Sequence, residues 1–191
     1  MPSIILASAS PRRKELLQKL YCDFDIITSD VDELLPSGTL PRFGVEVLAI
    51  RKGAAVANDG HEDAVVISSD TLVEIDDIPL GKPSSRDDAY RMLSMLSGRY
   101  HNVHTGVAVH YGKAVKSGVA TACVKFKELS DDEIWAYIDT NEPMDKAGSY
   151  AIQGIGGKFI DSYDGDFDTI MGLSVSLTRK LVEEAIGECD D

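Results

Sequence analysis

Residues 4–20 read Ile-Ile-Leu-Ala-Ser-Ala-Ser-Pro-Arg-Arg-Lys-Glu-Leu-Leu-Gln-Lys-Leu. The apolar run Ile4, Ile5, Leu6 predicts a buried strand, after which small residues turn the chain. Ser10 is a good N-cap, and Pro11 sits at the first helical position, where its missing N–H costs nothing. Leu16, Leu17 and Leu20 then recur at helical spacing. Working outward from this strand–turn–helix unit, the pattern predicts helix 11–20, strand 23–28, helix 42–57, strand 64–69 extending to about 75, and helix 86–96. Strands near 103–111 and 114–127 follow, then helix 131–139, an irregular glycine-bearing stretch 144–157, strand 158–162, a short helix near 166–172 and helix 175–187. Strands alternating with helices predict an α/β fold, and the hairpin turning at Tyr111-Gly112-Lys113 adds an antiparallel part. The expected architecture is a long curved mixed β-sheet flanked by helices, with a cleft where its halves diverge.

Composition narrows the function classes. The chain has 191 residues, 43% of them hydrophobic and 27% charged, with mean hydropathy −0.09. That suits a soluble globular protein with a real core. No apolar run reaches the roughly 18 residues of a membrane span, and no signal peptide opens the chain. A formal net charge of −13 leaves no extended basic face for a nucleic-acid polymer, although a local basic pocket for an anionic small molecule remains compatible with it. Cys22, Cys123 and Cys189 are far apart and form no Cys-x-x-Cys pair, so neither a disulfide framework nor a zinc site follows, and a cytoplasmic location fits best. There is no linker or repeat, and only Glu188–Asp191 reads as a frayed acidic tail.

Arg12 and Arg13 stand on the first turn of the first helix, beside free N–H groups. That end normally favours acidic side chains. Two solvated arginines would explain the segment; so would a cradle for phosphate. Asp70 follows the doubly buried run Val65-Val66-Ile67, at the carboxyl end of a strand where α/β sheets collect ligands, or else it caps a turn. Lys52 falls on the inward stripe of helix 42–57 with Val45, Leu48, Ala49 and Val56. It must snorkel outward or meet an anion, because an unpartnered buried ammonium costs several kcal/mol. Arg51 points away and reads as solvated. Lys82 lies in the stiff turn Leu80-Gly81-Lys82-Pro83. Asp30, Asp32 and Glu33 form an acidic cluster, either plain loop or a donor set for a hard divalent cation.

The stretch Asp145–Gly157 is glycine-rich but has neither the nucleotide-binding phosphate loop nor the dinucleotide fingerprint. Gln153 within it could read donor and acceptor positions of a base edge, or simply pack the loop. His101 and His104 are expected on opposite strand faces, and His61 and His110 in loop and surface positions, so no histidine metal set is expected. No nucleophile elbow supports serine catalysis.

Taken together, Ala7–Arg13, Val31-Asp32-Glu33, Lys52, Ser69-Asp70-Thr71, Gly81-Lys82-Pro83, Leu96-Ser97-Gly98, His101 with Val103, and Thr105-Gly106-Val107 form a specific set. Glu142-Pro143, Asp145-Lys146-Ala147-Gly148, Ile152-Gln153-Gly154 and Gly172-Leu173 continue it. This order of segments resembles the Maf family of nucleotide pyrophosphatases, whose fold is shared with inosine triphosphate pyrophosphatases. The resemblance implies one Maf-like domain over residues 1–191 with two lobes around a cleft. It implies hydrolysis of a nucleoside triphosphate to monophosphate and diphosphate with Mg2+ or Mn2+. Asp70 matches the family's proton acceptor, with Glu33 and Asp70 as metal ligands. Ser8, Arg12, Arg13, Lys52, Thr71, Lys82 and Gln153 are the implied substrate-binding set. Where the family acts on 7-methyl-GTP, Trp typically replaces Arg12, Gln replaces Thr71 and Glu replaces Gln153, so this chain looks like the branch taking dTTP and UTP.

The implied partner is a small nucleotide, with no nucleic-acid polymer and no membrane, and a homodimer is compatible with the family. The family is also associated with restraint of septum formation and with house-cleaning of modified nucleotides, which are the alternative functions. Two departures stand out: Ser174 where Pro is usual, and Gly53 where Ala is common.

Overall fold

The computed structural model describes residues 2–28 and 30–190. Its strands are β1 (Ile4–Leu6), β2 (Asp25–Ile26), β3 (Val65–Ile75), β4 (Ile78–Leu80), β5 (Tyr100–Tyr111), β6 (Ala114–Phe126) and β7 (Ile160–Asp164). Its helices are α1 (Pro11–Leu17), α2 (Pro41–Ala57), α3 (Arg86–Leu96), α4 (Asp131–Ile138), α5 (Phe167–Met171) and α6 (Val175–Asp190). The sheet runs β2-β1-β3-β5-β6-β7, with β4 paired to β3. Strand β1 is parallel to both neighbours, setting Ile4 against Val65 and Leu6 against Ile67. Strands β4 and β7 run antiparallel to β3 and β6. Only Gly112 and Lys113 join β5 to β6, a connection too short for anything but an antiparallel hairpin. The sheet is therefore mixed and flanked by helices, as the alternating pattern predicts.

The chain divides into two compact units, one of residues 1–70, 105–120 and 172–191 and the other of residues 71–104 and 121–171. In the first unit Ile5, Ala7, Val56, Ala57, Ala64 and Val66 form an aliphatic core under α2. The second unit is built around aromatic rings. Phe126 meets Tyr150 at 4.8 Å and Tyr137 meets Phe159 at 5.0 Å, both edge-on, the geometry ring quadrupoles prefer. Leu93 and Leu96 of α3 and Ile134 and Ile138 of α4 close over them. His101 lies in this core, its Nε2 2.8 Å from the Tyr150 hydroxyl. Burial pulls its pKa down to about 4, so it is neutral at pH 7.

Several expectations are corrected. Helix α1 stops at Leu17 rather than residue 20, and β2 keeps only Asp25–Ile26 of the expected 23–28. Strand β4 was not expected because Pro79 and its short length mask the signal. Its hairpin turns on Asp76 and Asp77, both at positive φ (53° and 61°), without the Asn-Gly pair that advertises such turns. The irregular stretch contains 3-10 turns at Glu142–Asp145, Ala147–Ser149 and Ile155–Phe159. Helix α6 continues through the expected acidic tail to Asp190, and Asp191 lies outside the described residues.

His110 is buried, not superficial. Its ring faces α2 at Gly53, where a Cβ would lie 2.5 Å from His110 Cδ2 and 2.6 Å from Ser68 Oγ. Glycine at 53 therefore lets α2 approach β5 over a histidine that alanine would displace. Ser174 likewise has a role. Its Oγ accepts the Leu177 N–H and its carbonyl accepts the Thr178 N–H, so it caps α6 where proline could only have stiffened the entry. No helix among the described residues is long and apolar enough to cross a membrane.

Candidate active site

The first unit gathers its charges where β1, α1, α2 and β3 meet. Ser10 caps α1, its Oγ accepting the Arg13 N–H at 3.5 Å. Pro11 at the first turn starts the helix as the sequence predicts. At seven residues α1 is two turns long, so the positive charge at this corner belongs mainly to its guanidinium groups. Arg13 reaches back: its Nε donates to the Gly172 carbonyl at 3.0 Å and its Nη1 to Ser8 Oγ at 3.3 Å. Burial lowers the Arg13 pKa, and the repulsion of Arg12 adds to this, while the carboxylates of Asp70 and Glu33 oppose it. A guanidinium remains protonated all the same. The Arg13 guanidinium thus feels both carboxylates and its neighbour Arg12.

Lys52 meets anions, as its place on the buried stripe requires. Its Nζ lies 2.6 Å from Asp70 Oδ1 and 2.7 Å from Glu33 Oε1. Lys52 and Asp70 are mostly buried, while Glu33 stands 64% exposed on its loop. One ammonium therefore draws together two carboxylates from a strand and a loop. Of the acidic cluster, Glu33 is the member that does this. Asp32 instead folds its own turn, its Oδ1 accepting the Leu34 N–H at 2.9 Å.

Arg51 corrects its expectation. Its Nη1 donates to the carbonyls of Asp32 and Leu34 at 3.2 and 2.8 Å, pinning both sides of Glu33. Neighbouring residues of α2 thus do complementary work, Arg51 fixing the loop and Lys52 pairing with its acid. Ser69, part of the Ser69-Asp70-Thr71 motif, takes a role that the motif does not announce. Its Oγ donates to the Gly172 carbonyl at 2.7 Å, the same oxygen that receives Arg13. Gly172 holds that carbonyl at φ 119°, a backbone state that a side chain would strain. The middle of β3 and the first turn of α1 are thereby tied to one atom.

The remaining predicted residues belong to the second unit. Thr71 is half-buried in β3, directly after Asp70. Lys82 is exposed on the turn after β4, where the Gly81 carbonyl accepts the Gly148 N–H at 3.0 Å. Gln153 is exposed between Ile152 and Gly154. The histidines take separate partners: His101 bonds Tyr150, and His104 sits between Thr121 and Glu74. Among the described residues no group of three or more His, Cys, Asp or Glu is arranged to hold a metal ion.

Comparison with known proteins shows the family of the chain. The sequence model of the family described as Maf-like protein matches residues 3–185. A dTTP/UTP pyrophosphatase of Bdellovibrio bacteriovorus is 44% identical over 190 residues, covering 96% of this chain and 98% of its own length. One of Thermococcus onnurineus is 48% identical over 185 residues, with the same two coverages. One of Desulforamulus reducens is 49% identical over 179 residues, covering 92% of this chain and 93% of its own. The solved structure of the Staphylococcus aureus Ham1 protein shares the fold, with a TM-score of 0.54 at 15% identity over 95% of this chain and 98% of its own. By the family match over almost its whole length and by relatives of this similarity, the chain belongs to the Maf-like family.

Proposed function

We propose that this protein hydrolyses dTTP and UTP between the α and β phosphates, releasing the nucleoside monophosphate and pyrophosphate. The observation that carries the proposal is the Lys52 ammonium shared by Asp70 and Glu33 at 2.6 and 2.7 Å, in the same unit as an Arg13 guanidinium anchored on Gly172 and Ser8. Cleaving a phosphoanhydride needs little covalent help; it needs positive charge for the leaving group and an aligned water. Arg12, Arg13 and Lys52 supply positive charge. Arg13 is preorganised by Gly172 and Ser8, so it pays little ordering entropy when an anion arrives. Ser8 Oγ already accepts from Arg13 and from the Ser10 N–H, which leaves its hydroxyl hydrogen to donate to a phosphate oxygen.

Asp70 is assigned the general base. It lies within β3, directly after the buried run Val65–Ser69, rather than at a strand end, and its carboxylate would orient the attacking water and take its proton. Lys52 holds the carboxylate ready in the free protein and can turn its ammonium to the incoming phosphate. The donor chemistry at Glu33 and Asp70 fits a divalent cation, since two hard carboxylate oxygens share one small positive partner. Glu33 and Asp70 would hold Mg2+ or Mn2+, which would supply positive charge against that of the triphosphate. Lys82 is assigned to a phosphate. Thr71 and Gln153 are assigned to the base, a pyrimidine whose N3–H donor lies between two carbonyls; cytosine presents a different edge. The family resemblance supports these three assignments, and the curated names of the relatives support the substrate pair.

The test is a panel of natural and modified nucleoside triphosphates, scored for pyrophosphate with and without EDTA. The proposal expects dTTP and UTP to be the fastest natural substrates and EDTA to stop turnover. Orthophosphate as the product, or equal rates on every base, would contradict it.

A further inference from the structure

The glycine-rich stretch that matches no phosphate-binding pattern has a different employment. Gly154 is packed so tightly that a Cβ there would lie 2.2 Å from Glu142 Oε1, and one on Gly156 would lie 2.5 Å from the Tyr137 hydroxyl. The Glu142 carboxylate fills the hollow this leaves. Its Oε1 accepts the Ile155 N–H at 3.0 Å, and its Oε2 accepts the Gly156 N–H at 2.9 Å and the Tyr137 hydroxyl at 2.7 Å. Burial pushes this carboxyl toward its neutral form, but the Gly156, Tyr137 and Ile155 donors outweigh burial and hold its pKa below the ordinary glutamate range.

The anchorage on both sides is rigid. Glu142 follows Asn141, which turns the chain in the left-handed region at φ 65°, and precedes buried Pro143. Tyr137 is fully buried against Phe159. Two residues beyond Gln153 the backbone is therefore seized by a charged group standing on the aromatic core. Gln153 itself is exposed. An amide can discriminate bases only if its donor and acceptor are held in place, and a misplacement of about 1 Å can cost about 10²-fold.

We infer that Glu142 is the positioning residue for base selection: its carboxylate clasps the Ile155 and Gly156 N–H groups and so sets where Gln153 presents its amide. The inference rests on the assignment of Gln153 to the base. Replacing the carboxylate by an amide exposes the device. In Glu142→Gln the Tyr137 hydroxyl can turn and accept from the new NH2, but the Gly156 N–H cannot, and donor then faces donor.

The experiment measures kcat and KM on UTP and CTP for the full-length protein and for Glu142→Gln, Gly154→Ala, Gln153→Ala and the double variant Glu142→Gln/Gln153→Ala. Glu142→Gln is expected to lower the UTP-to-CTP preference about tenfold, mainly through the KM for UTP, because a charge-assisted hydrogen bond is lost. Gly154→Ala keeps the charge but fills the hollow, so it is expected to shift the preference in the same direction, and it stands in if Glu142→Gln fails to fold. On the Gln153→Ala background, Glu142→Gln is expected to change the preference no further.

A full UTP-to-CTP preference in the Glu142 or Gly154 variant, with Gln153→Ala altering it, would overturn the clasp while leaving Gln153 in its role. An unaltered preference in Gln153→Ala would instead overturn the base assignment, and the clasp with it.

Discussion

Two carboxylates of this protein, Asp70 and Glu142, are both paired and both partly withdrawn from water, yet they are held in opposite ways. Asp70 is held by the tip of a lysine side chain, which it shares with an exposed glutamate. Glu142 is held by two backbone N–H groups and a buried phenol. A lysine stem has four rotatable bonds and can exchange one anion for another at small cost, whereas backbone donors cannot move without moving the loop. Partners that can be exchanged suit chemistry; partners that cannot suit geometry. The same contrast runs through the neighbouring residues of α2, where Lys52 pairs with side chains and Arg51 with loop carbonyls.

The sharpest way to break this contrast is at Asp70. Asp70→Asn is expected to lower dTTP turnover by about 10²–10⁴-fold, the usual contribution of a positioned base, while dTTP still raises the melting temperature. Normal hydrolysis by that variant would remove Asp70 from the mechanism. Lys52→Met is expected to cost about 10²–10³-fold in kcat, because it removes a cation aimed at developing charge. A variant with near-normal kcat would show that Arg12 and Arg13 suffice. Gln153→Glu is expected to depress activity on dTTP and UTP more than on guanine nucleotides, read as a change in substrate ranking.

Smaller effects test the fixed half of the comparison through pH. His101 binds a proton at about 4 in the fold and near 6.5 when unfolded, so the unfolded state takes up the proton first. Stability is therefore lost as pH falls from about 6.5 to about 4, by on the order of 3 kcal/mol. His101→Gln is expected to flatten the melting temperature across that window relative to the parent; a parallel slope would contradict the buried neutral histidine. Glu142 behaves in the other sense. Its depressed folded pKa gives stability that is present above the unfolded value of about 4.3 and lost as pH falls through the folded one. The melting-temperature gap between the parent and Glu142→Gln is expected to close below about pH 4.

What the sequence revealed and what it hid divide along similar lines. Ser10-Pro11 announces a helix start through local capping chemistry, and the structure caps the helix at Ser10. Lys52 was found by periodicity alone, because a charge on an apolar stripe needs an explanation. Asp70 was marked by the end of a doubly buried run. Each of these signals lies within a few residues of the group it concerns. Gly172 was invisible as a structural knot because its carbonyl receives donors from Arg13 and Ser69, far away in the chain, and a carbonyl has no residue type. Arg51 was misjudged for the same reason: its partners are backbone oxygens on a distant loop. Glu142 stood in the family pattern without a physical role, since nothing local says that glycines twelve or so residues later are shaped around it. His110 was misplaced because a polar residue facing a glycine gives no apolar signal across the gap.

Hydrolysis of dTTP in water enriched in oxygen-18, with both products read by mass spectrometry, tests most directly whether this cluster of cations and carboxylate acts as described. If Asp70 aims water at the α-phosphorus while Arg12, Arg13 and Lys52 receive the departing pyrophosphate, the heavy oxygen appears in dTMP and none in pyrophosphate. Label in pyrophosphate, or release of orthophosphate and dTDP, would contradict the account.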